Sequence, residues 1–400
     1  MSSTRCSGSA PRRNGLTGFA ATASMDIKGI KKIDDYTVRL PLKTADSTIP
    51  QTLGELHVRH RPGGLQGVSR PRRSAPGPTS SRASPPARRA SASATRTTGA
   101  SGQPYFDTVT ITDFADSTAQ VNALLGGQID AMTDLPASQV QVLESRQMKA
   151  LISKTGGWVP LCMAIDMPPF DDNRVRQAMR LIVDREAMIQ QIASGYGFLA
   201  NDLYAPFDDG LRRRPAAARR RTSSRPSLCS RRPVKEGLTV DLHTTNGAAG
   251  MVSLATVFAS QAKAAGVTVN VKNDPNYYGD DYLKLAFSVD FWGTRGYLNQ
   301  VQQGSLPSSP YNETHWPPKS GEGSNFESLY QQALAATDDA KRIEIEHEMQ
   351  RLEYDVGGYI IPFFGSLIDG YSPKVQGFSP SKGTLNLATF GHGYRTIWFG

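Results

Sequence analysis

Two long stretches of this chain have a composition that cannot form a hydrophobic core, and they interrupt otherwise ordinary globular sequence. The first runs from His57 to Pro104 and contains nine Arg, a single Leu, and no aromatic residue, Ile, Lys, Asp or Glu. The second runs from Leu211 to Arg232 and contains nine more Arg, again without Lys, Asp or Glu. Because burial of so little apolar surface cannot offset the loss of chain entropy, we expect neither stretch to fold by itself.

The positive charge of the chain lies in these two stretches. The formal net charge is +9, from 45 Lys and Arg against 36 Asp and Glu. Without the 18 Arg of the stretches, 27 basic residues face 36 acidic ones, so the globular remainder is acidic. The Arg could neutralise phosphates non-specifically. They lack interleaved aromatic residues and a helical or zinc scaffold, so we expect no nucleic-acid partner and keep that function as a distant alternative.

Motifs for catalysis, cofactors and metals are absent from the sequence. It has no G-x-S-x-G, G-x-x-x-x-G-K, H-E-x-x-H or G-x-G-x-x-G pattern. Its three cysteines, Cys6, Cys162 and Cys229, are too few for a disulfide framework and form no C-x-x-C pair. We therefore predict a protein that is not an enzyme and that has neither a cofactor nor a metal site.

The first 24 residues show no pattern of a folded segment or of an export signal. They include three Arg and no unbroken apolar run of the length that a signal peptide needs. No later stretch is long and apolar enough to span a bilayer. We expect an unstructured or aberrant N-terminus without a signal peptide.

Apolar periodicity in the globular regions predicts alternating strands and helices. One βαβ unit is predicted from a strand at Val109 to Phe114, a helix beginning at Ser117, and a strand at Ile129 to Met132. A second is predicted from a strand at Leu238 to Leu242, a helix at Met251 to Ala262, and a strand at Val267 to Val271. The alternation predicts an α/β fold with mixed sheets.

Further elements follow the same periodicity. Asp171 and Asp172 resemble a paired carboxylate, but their place before an apolar helical pattern favours N-capping by Asp172. We expect Arg174 and Arg176 on the polar face of that helix, and the next helix to begin at Asp184. Two helices and a strand are predicted later, around 326–334, 345–356 and 359–364.

Five motifs in a fixed order resemble one protein family. They are Gly127-Gln128-Ile129-Asp130; Pro168-Pro169-Phe170-Asp171-Asp172-Asn173-Arg174-Val175-Arg176-Gln177-Ala178 with Asp184-Arg185-Glu186; Ala264-Ala265-Gly266-Val267; Tyr311-Asn312-Glu313-Thr314-His315-Trp316; and Tyr359-Ile360-Ile361-Pro362. Together they resemble the family 5 extracellular solute-binding proteins, the dipeptide, oligopeptide and nickel-binding group of ABC importers. Compared with that family we expect the chain to be shortened at its N-terminus, and our hypothesis is that both arginine-rich stretches are out-of-frame translations of a GC-rich gene.

The resemblance implies a fold and a domain organisation. We expect a periplasmic-binding-protein-like fold of type II, with two lobes, mixed sheets and a hinge. Residues 25–160 would form an incomplete lobe I containing the stretch 57–104, residues 161–365 would form lobe II containing the stretch 211–232, and residues 366–400 would return to lobe I.

The resemblance also implies a function. A binding protein of this family captures a peptide or peptide-like solute between its lobes and delivers it to a membrane permease driven by an ATPase. We expect a monomer, located in the periplasm or anchored to the outside of the membrane. The alternative that stays open is a binding protein for a metal chelate or another carboxylate-bearing solute.

The turn after a predicted strand holds the first candidate ligand residues, Trp292, Arg295 and Tyr297. It is similar to the turn that offers an Asp to the ligand's ammonium group in peptide-binding members, and Arg295 occupies that position. An Arg is permanently cationic and only donates hydrogen bonds, so it favours a carboxylate or phosphate. Trp292 and Tyr297 are interpreted either as an aromatic wall for the ligand or as ordinary core residues.

A proline-rich loop holds the other candidates, Asn312, His315 and Trp316. Polar side chains of loops often bind ligands, although packing of the loop itself is the favoured alternative. His315 is the histidine to consider for a metal, because nickel-type relatives bind chelates. Asn312 also begins a match to the glycosylation sequon, a pattern that is frequent by chance.

Overall fold

The computed structural model describes residues 24–50, 79–82, 89–94, 105–114, 116–211, 237–382 and 396–400. The predictions for residues 1–23 and for most of both arginine-rich stretches lie outside these residues. The chain divides into two compact units. Unit 1 comprises Met1–Arg59, Trp158–Met188 and Leu199–Phe363, and unit 2 comprises His60–Gly157, Ile189–Phe198 and Phe364–Gly400.

The α-helices and β-strands alternate along the chain. The described α-helices are α1 (Ser117–Leu125), α2 (Val140–Ser145), α3 (Asn173–Ile182), α4 (Arg185–Ala193), α5 (Met251–Ala264), α6 (Tyr297–Gly304), α7 (Phe326–Ala335) and α8 (Asp339–Val356). The strands are β1 (Lys31–Lys32), β2 (Val38–Arg39), β3 (Thr79–Arg82), β4 (Arg89–Ala94), β5 (Thr108–Thr112), β6 (Ala131–Met132), β7 (Lys149–Trp158), β8 (Leu161–Met163), β9 (Gly197–Leu199), β10 (Thr239–Thr244), β11 (Thr268–Asn273), β12 (Phe287–Val289), β13 (Tyr359–Ile360), β14 (Phe363–Tyr371), β15 (Val375–Gln376) and β16 (Trp398–Phe399).

A five-stranded mixed sheet forms the centre of unit 1, in the order β11-β10-β12-β8-β13. Strand β10 runs parallel to β11 and β12, whereas β8 runs antiparallel to β12 and β13. All three residues of β8 and of β12 are buried, as expected of central strands covered on both faces. The prediction of an α/β fold with mixed sheets is confirmed.

One of the two predicted βαβ units is confirmed and the other is wrong. Strand β10, helix α5 and strand β11 form a parallel βαβ unit in which Val240 pairs with Val269. Strand β5, helix α1 and strand β6 follow one another as predicted, but the two strands belong to different sheets. Strand β5 pairs with β4, whereas β6 pairs with β14, so helix α1 connects two different sheets.

Two buried arginines of helix α3 join it to the C-terminal end of helix α8 and the residues that follow. Arg176 donates to the carbonyl oxygen of Val356 at 2.6 Å. Arg180 donates to the carbonyls of Tyr354, Gly357 and Tyr359 at 2.6–2.9 Å. The last carbonyls of a helix have no partner within it, and cations at a helix C-terminus are favourable for the macrodipole. Burial lowers the pKa of both arginines to about 10, so they stay charged at neutral pH.

At the start of helix α3 the predicted N-cap is confirmed, whereas the predicted surface position of one arginine is wrong. Asp172 accepts a hydrogen bond from the backbone N–H of Arg174 at 2.8 Å, which makes it the N-cap. Arg174 lies on the surface as expected and pairs with Asp172. Arg176 is buried instead, because the carbonyls at the end of α8 offer it hydrogen bonds that the periodicity of α3 alone does not reveal.

Unit 2 has its own apolar core around the sheet β6-β14-β7. Helices α1 and α2 contribute Leu124 and Leu143, both fully buried, and β14 contributes Ile368. Gly370 of β14 lies against this core, since a Cβ on it would come within 3.0 Å of the Leu124 and Leu143 side chains.

Part of the first arginine-rich stretch forms strands, contrary to our expectation. Strand β3 pairs antiparallel with β4, and β4 pairs antiparallel with β5. The segments are composed of Ser, Ala, Thr and Arg. Their pairing needs main-chain hydrogen bonds and an available neighbour rather than apolar side chains, and β5 provides that neighbour.

The predicted lobe boundaries stay predictions. In the structure, the described residues 24–50 belong to unit 1, where the Ser47 N–H donates to the carbonyl of Leu334 at 2.9 Å. Within the described residues, no helix is both long enough and apolar enough to cross a membrane.

Candidate ligand-binding site

The turn that carries Trp292 follows directly after strand β12 in unit 1. The backbone of Trp292 pairs with that of Trp158, with N···O distances of 2.8 and 2.9 Å in the two directions. The turn is therefore attached to the chain that enters strand β8. This pairing places Trp292 and Trp158 side by side, as antiparallel partners.

Four aromatic rings are stacked behind this turn. Trp292 stacks on Trp158 at 6.0 Å with an interplanar angle of 17°, and Trp158 on Tyr204 at 5.6 Å and 14°. Tyr204 in turn stacks on Tyr297 at 5.3 Å and 22°. Tyr359 meets Trp158 edge to face at 5.3 Å. The stack is almost fully buried, with Trp292 7% exposed and Tyr297 1% exposed.

Arg295 lies over the ring of Trp292. Its guanidinium carbon is 5.1 Å from the ring centroid, within the range of a cation–π contact. Its Nη1 is 3.5 Å from the carbonyl of Gly293 and from Oε1 of Gln300, both at the limit of a hydrogen bond. Arg295 is partly exposed, and its planar donors match a carboxylate or phosphate.

Tyr297 is the first residue of helix α6, and it donates hydrogen bonds to two acids. Its backbone N–H donates to Oδ2 of Asp208 at 2.8 Å. Its hydroxyl donates to Oε2 of Glu353 at 2.8 Å. With its ring stacked on Tyr204 as well, Tyr297 supports the turn from inside unit 1.

Asn312 and Trp316 close the proline-rich loop on itself. The Asn312 side chain donates to the carbonyls of Leu306 and Trp316 at 3.0 and 2.6 Å and accepts from the Trp316 N–H at 3.0 Å. Trp316 is 2% exposed and packs edge to face on Phe326 at 5.3 Å. The polar atoms of Asn312 are thus engaged within the loop, which also leaves the sequon asparagine without a free amide.

His315 connects the same loop to two others. Its Nδ1 is 2.5 Å from Oδ1 of Asp166, and its Nε2 is 2.8 Å from the carbonyl oxygen of Leu283. Both ring nitrogens therefore contact oxygen atoms in this arrangement. Among the residues that the structure describes, no group of three or more His, Cys, Asp or Glu is placed to hold a metal ion.

Glu313, which the sequence did not indicate, is the polar centre behind the turn. It is 3% exposed, and its Oε2 accepts from Trp292 Nε1 at 3.2 Å, Tyr359 hydroxyl at 2.9 Å and Cys162 Sγ at 3.5 Å. Burial raises the pKa of Glu313 well above its ordinary value, and the nearby charge of Asp290 raises it further. Burial also raises the pKa of Asp290.

Glu353 on helix α8 is a second buried acid that the sequence did not indicate. It accepts hydrogen bonds from the hydroxyls of Tyr204 and Tyr297. Burial raises its pKa to about 7, although these hydrogen bonds favour the charged form. A signal exists in the sequence, because Glu346 and Glu353 are seven residues apart and so lie on one helical face with the apolar Met349. Glu346 is also buried, with its pKa raised to about 7.

A small cavity lies beside Glu353 within unit 1. Its volume is about 10 Å³, which is room for about one water molecule and excludes a solute. Tyr204, Thr314, Trp316 and Tyr359 also line it. Thr314 Oγ1 and Trp316 Nε1 are buried, and neither has a hydrogen-bond partner among the described residues.

The predicted site residues thus fall into two groups. Trp292, Arg295 and Tyr297 form one continuous group with the aromatic stack. Asn312, His315 and Trp316 lie on the neighbouring loop, which reaches the first group through Glu313. Of the six residues, Arg295 combines partial exposure with a charge that suits a ligand.

The sequence of this chain matches a family of known proteins. Residues 98–312, more than half of the chain, match the family model described as bacterial extracellular solute-binding proteins, family 5 middle. The nickel-binding protein NikA of Staphylococcus aureus is 25% identical over 310 residues, which are 72% of this chain and 59% of NikA. The oligopeptide-binding protein AppA of Bacillus subtilis is 31% identical over 100 residues, 25% of this chain and 18% of AppA. The chain therefore spans less than two thirds of the length of these curated relatives.

Solved structures share the fold. AgaA of A. tumefaciens R10, in complex with agropinic acid, has a TM-score of 0.75 at 19% identity and covers 99% of this chain and 81% of AgaA. DppA of Helicobacter pylori, in complex with the peptide STSA, has a TM-score of 0.75 at 14% identity, covering 98% and 78%. NikA of S. aureus, in complex with Ni(L-His)2, has a TM-score of 0.72 at 19% identity, covering 93% and 78%. The predicted periplasmic-binding-protein-like fold of type II is confirmed.

Proposed function

Because this chain belongs to the family 5 bacterial extracellular solute-binding proteins, we propose that it captures a small carboxylate-bearing solute for an ABC importer. It would deliver that solute to a membrane permease driven by an ATPase, without chemical change to the solute. The family relationship supports the binding role, and the residues of the turn after β12 support the ligand class.

Arg295 is the observation that carries the proposal. Its guanidinium lies 5.1 Å from the Trp292 ring centroid, on a turn that pairs with the Trp158 backbone and packs on the aromatic stack. A preorganised guanidinium can donate two parallel hydrogen bonds to a carboxylate. It repels an ammonium group at the same place. A ligand anchored there presents a carboxylate rather than a free amine.

A metal chelate is the second candidate, because a chelate can also present carboxylates. The S. aureus NikA structure contains Ni(L-His)2, and the AgaA structure contains agropinic acid. In this chain both nitrogens of His315 already contact Asp166 and Leu283. Any metal would therefore arrive with its own ligands, recognised through their carboxylates.

A thermal-shift titration of the full chain tests the ligand class. Three probes share one backbone: dialanine, N-acetyl-dialanine, which lacks the amine, and dialanine amide, which lacks the carboxylate. We expect stabilisation by N-acetyl-dialanine that grows with its concentration, and no stabilisation by dialanine amide. Stabilisation by dialanine and its amide, but not by the acetylated probe, would contradict the role of Arg295.

A matched pair of variants assigns the effect to one side chain. Arg295→Gln removes the charge at the turn, whereas Arg174→Gln removes the charge of an exposed arginine of the same unit that pairs with Asp172. Loss of stabilisation in Arg295→Gln alone supports the proposal. Equal loss in both variants would indicate a general electrostatic effect instead.

We also propose the remaining family properties for this chain: a monomer that acts outside the cytoplasmic membrane, in the periplasm or anchored to the membrane, with a permease and its ATPase as partners. Light scattering of the purified chain tests the monomer. A mass twice that of the 43.4 kDa chain would contradict it.

A further inference from the structure

The ring of His315 joins three chain segments of unit 1. Its Nδ1 lies 2.5 Å from Oδ1 of Asp166, in the loop after β8, and its Nε2 lies 2.8 Å from the carbonyl oxygen of Leu283, in the segment before β12. We call these three residues the His315 bridge. The backbone joins two of the segments as well, since the Ile165 N–H donates to the Thr314 carbonyl at 3.0 Å. The bridge therefore connects the loop 311–317 to two neighbouring segments.

Both partners of the His315 ring are hydrogen-bond acceptors. A backbone carbonyl has no proton to donate, and an ionised carboxylate has none either. Each ring nitrogen must therefore carry a hydrogen for both contacts to be hydrogen bonds, and only the imidazolium form has two N–H groups. Neutral imidazole keeps one N–H and turns the lone pair of its other nitrogen toward an oxygen atom. The bridge is complete only when His315 is protonated.

The backbone at two points of the bridge is in a conformation that needs such contacts. His315 has a φ of 57° and Leu283 a φ of 67°, both in the left-handed region that is unfavourable for most residues with a side chain. A backbone of this kind persists where the surrounding structure holds it. Loss of one ring hydrogen bond would therefore allow the loop 311–317 to leave its present conformation.

The charged groups near the bridge leave Asp166 as its acid. Among the described residues, the carboxyl within ion-pair distance of the ring is that of Asp166, whose side chain is 58% exposed, so that water solvates its charge. Glu313, on the same loop as His315, directs its carboxyl to the buried donors behind the turn. Asp280, Asp281 and Lys284, in the segment before β12, are exposed.

We propose that the His315 bridge is a pH-sensitive connection, which holds the loop 311–317 against its two neighbours when the ring is protonated and releases it when the ring loses its proton. A histidine side chain ordinarily changes its charge between pH 5 and 8. Because both partners only accept, the bridge is complete at the acidic end of this range and is lost as the pH rises. It acts within unit 1 and does not depend on the ligand of the proposed function.

Amide hydrogen exchange of the full chain, measured by NMR at pH 5.5 and pH 8, tests the connection. The Ile165 N–H reports on the contact between two segments, and the Trp316 N–H, which donates to Asn312 at 3.0 Å, reports on the loop itself. We expect the protection factors of both to fall about tenfold at the higher pH. Amides of β10 and β12 report global unfolding in the same samples, which separates the bridge from a pH dependence of the whole unit.

A matched pair of amide substitutions assigns the effect to the bridge. Asp166→Asn keeps an acceptor for the imidazolium and adds a donor for the neutral ring, so both contacts can form in either state. We expect the protection factors of this variant to be the same at both pH values. Asp241→Asn changes an exposed acid of unit 1 that bonds to Asn270, and it should behave like wild type. An equal fall in Asp166→Asn and wild type, or no fall in wild type, overturns the proposal.

The ring itself provides a second measurement, which stands even if Asp166→Asn does not fold. The chain has six His, and His315→Asn identifies the ring signals of His315, because asparagine tolerates a positive φ. At pH 5.5 we expect both ring N–H protons of His315 to be observed, since hydrogen bonds slow their exchange with water. We expect low protection of the Ile165 amide at both pH values in His315→Asn. A missing Nδ1–H signal in wild type, or an unchanged pH dependence in His315→Asn, would contradict the bridge.

Discussion

Buried acids and tyrosines surround the proposed site at the scale of single residues. Glu313 and Glu353 accept hydrogen bonds from Trp and Tyr side chains, and none of the described basic side chains forms an ion pair with either acid. An acid of this kind is costly to ionise, so its protonation is coupled to folding. Unit 1 therefore has a dependence on pH that its surface charges do not explain.

Glu353 gives the first prediction. Its pKa is about 7 in the folded chain and about 4.5 when exposed, so between these values the folded state holds a proton that the unfolded state has lost. Stability then falls as the pH rises, by about 3 kcal/mol over this range. We expect Glu353→Gln to flatten this fall, measured by urea unfolding at pH 5 and pH 8. Glu348→Gln, an acid on the same helix that pairs with Arg351, serves as the control. Equal pH dependence in wild type and Glu353→Gln would contradict the buried ionisation.

The orphan polar atoms of the small cavity give the second prediction. Thr314 and Trp316 line a cavity of about 10 Å³, and Thr314 Oγ1 and Trp316 Nε1 have no hydrogen-bond partner among the described residues. Such atoms are usually satisfied by a buried water. We expect a crystal structure at high resolution to show one ordered water within hydrogen-bond distance of both. A dry cavity, with both atoms still unpaired, would contradict this.

Helix α8 shows at the scale of elements how the two ends of a helix are stabilised by different parts of the chain. Its N-terminus is capped locally, by Asp338, which accepts from the Lys341 N–H at 2.8 Å. Its C-terminal carbonyls accept from Arg176 and Arg180, which lie more than 170 residues earlier. A local cap is visible in the sequence, whereas a distant one is visible only in the fold.

Arg180 gives the prediction at this scale. Arg180→Met keeps much of the volume but removes the guanidinium that donates to the carbonyls of Tyr354 and Tyr359. We expect a loss of about 3 kcal/mol in the free energy of unfolding, measured with urea. Arg174→Met, on the exposed face of the same helix, should change it little. Similar values for both variants would show that the buried network does not stabilise α8.

At the scale of the whole molecule, the chain consists of two units, each with its own core. Unit 1 is organised around the five-stranded mixed sheet, and unit 2 around a smaller sheet with helices α1 and α2. Domains with separate cores often unfold in separate steps.

Calorimetry of paired core variants tests this independence. Leu242→Ala removes a fully buried side chain from unit 1, and Leu143→Ala removes one from unit 2. Each should cost about 2 to 5 kcal/mol in its own unit. We expect the two variants to lower the midpoints of different transitions. A single transition that both variants lower equally would show that the units unfold together.

The sequence by itself determined the family and many of the helices and strands. Local signals suffice for a helix such as α3, because its cap Asp172 and its apolar spacing lie within one short segment. The parallel β10-α5-β11 unit follows from the same kind of periodicity. The motif order determined the fold, since five short patterns in sequence are more specific than any one of them.

Only the tertiary structure decided what the side chains of the site do. No local sequence pattern marks Arg176 or Glu313 as buried. Both are buried because residues elsewhere in the chain form hydrogen bonds with them. Strand β5 pairs with β4 rather than completing a βαβ unit, because strand pairing depends on which neighbour is available in space. Hydrogen bonds between distant segments leave no periodicity in the sequence, so the contacts of Arg295, Trp292 and Glu313 could be read only from the folded chain.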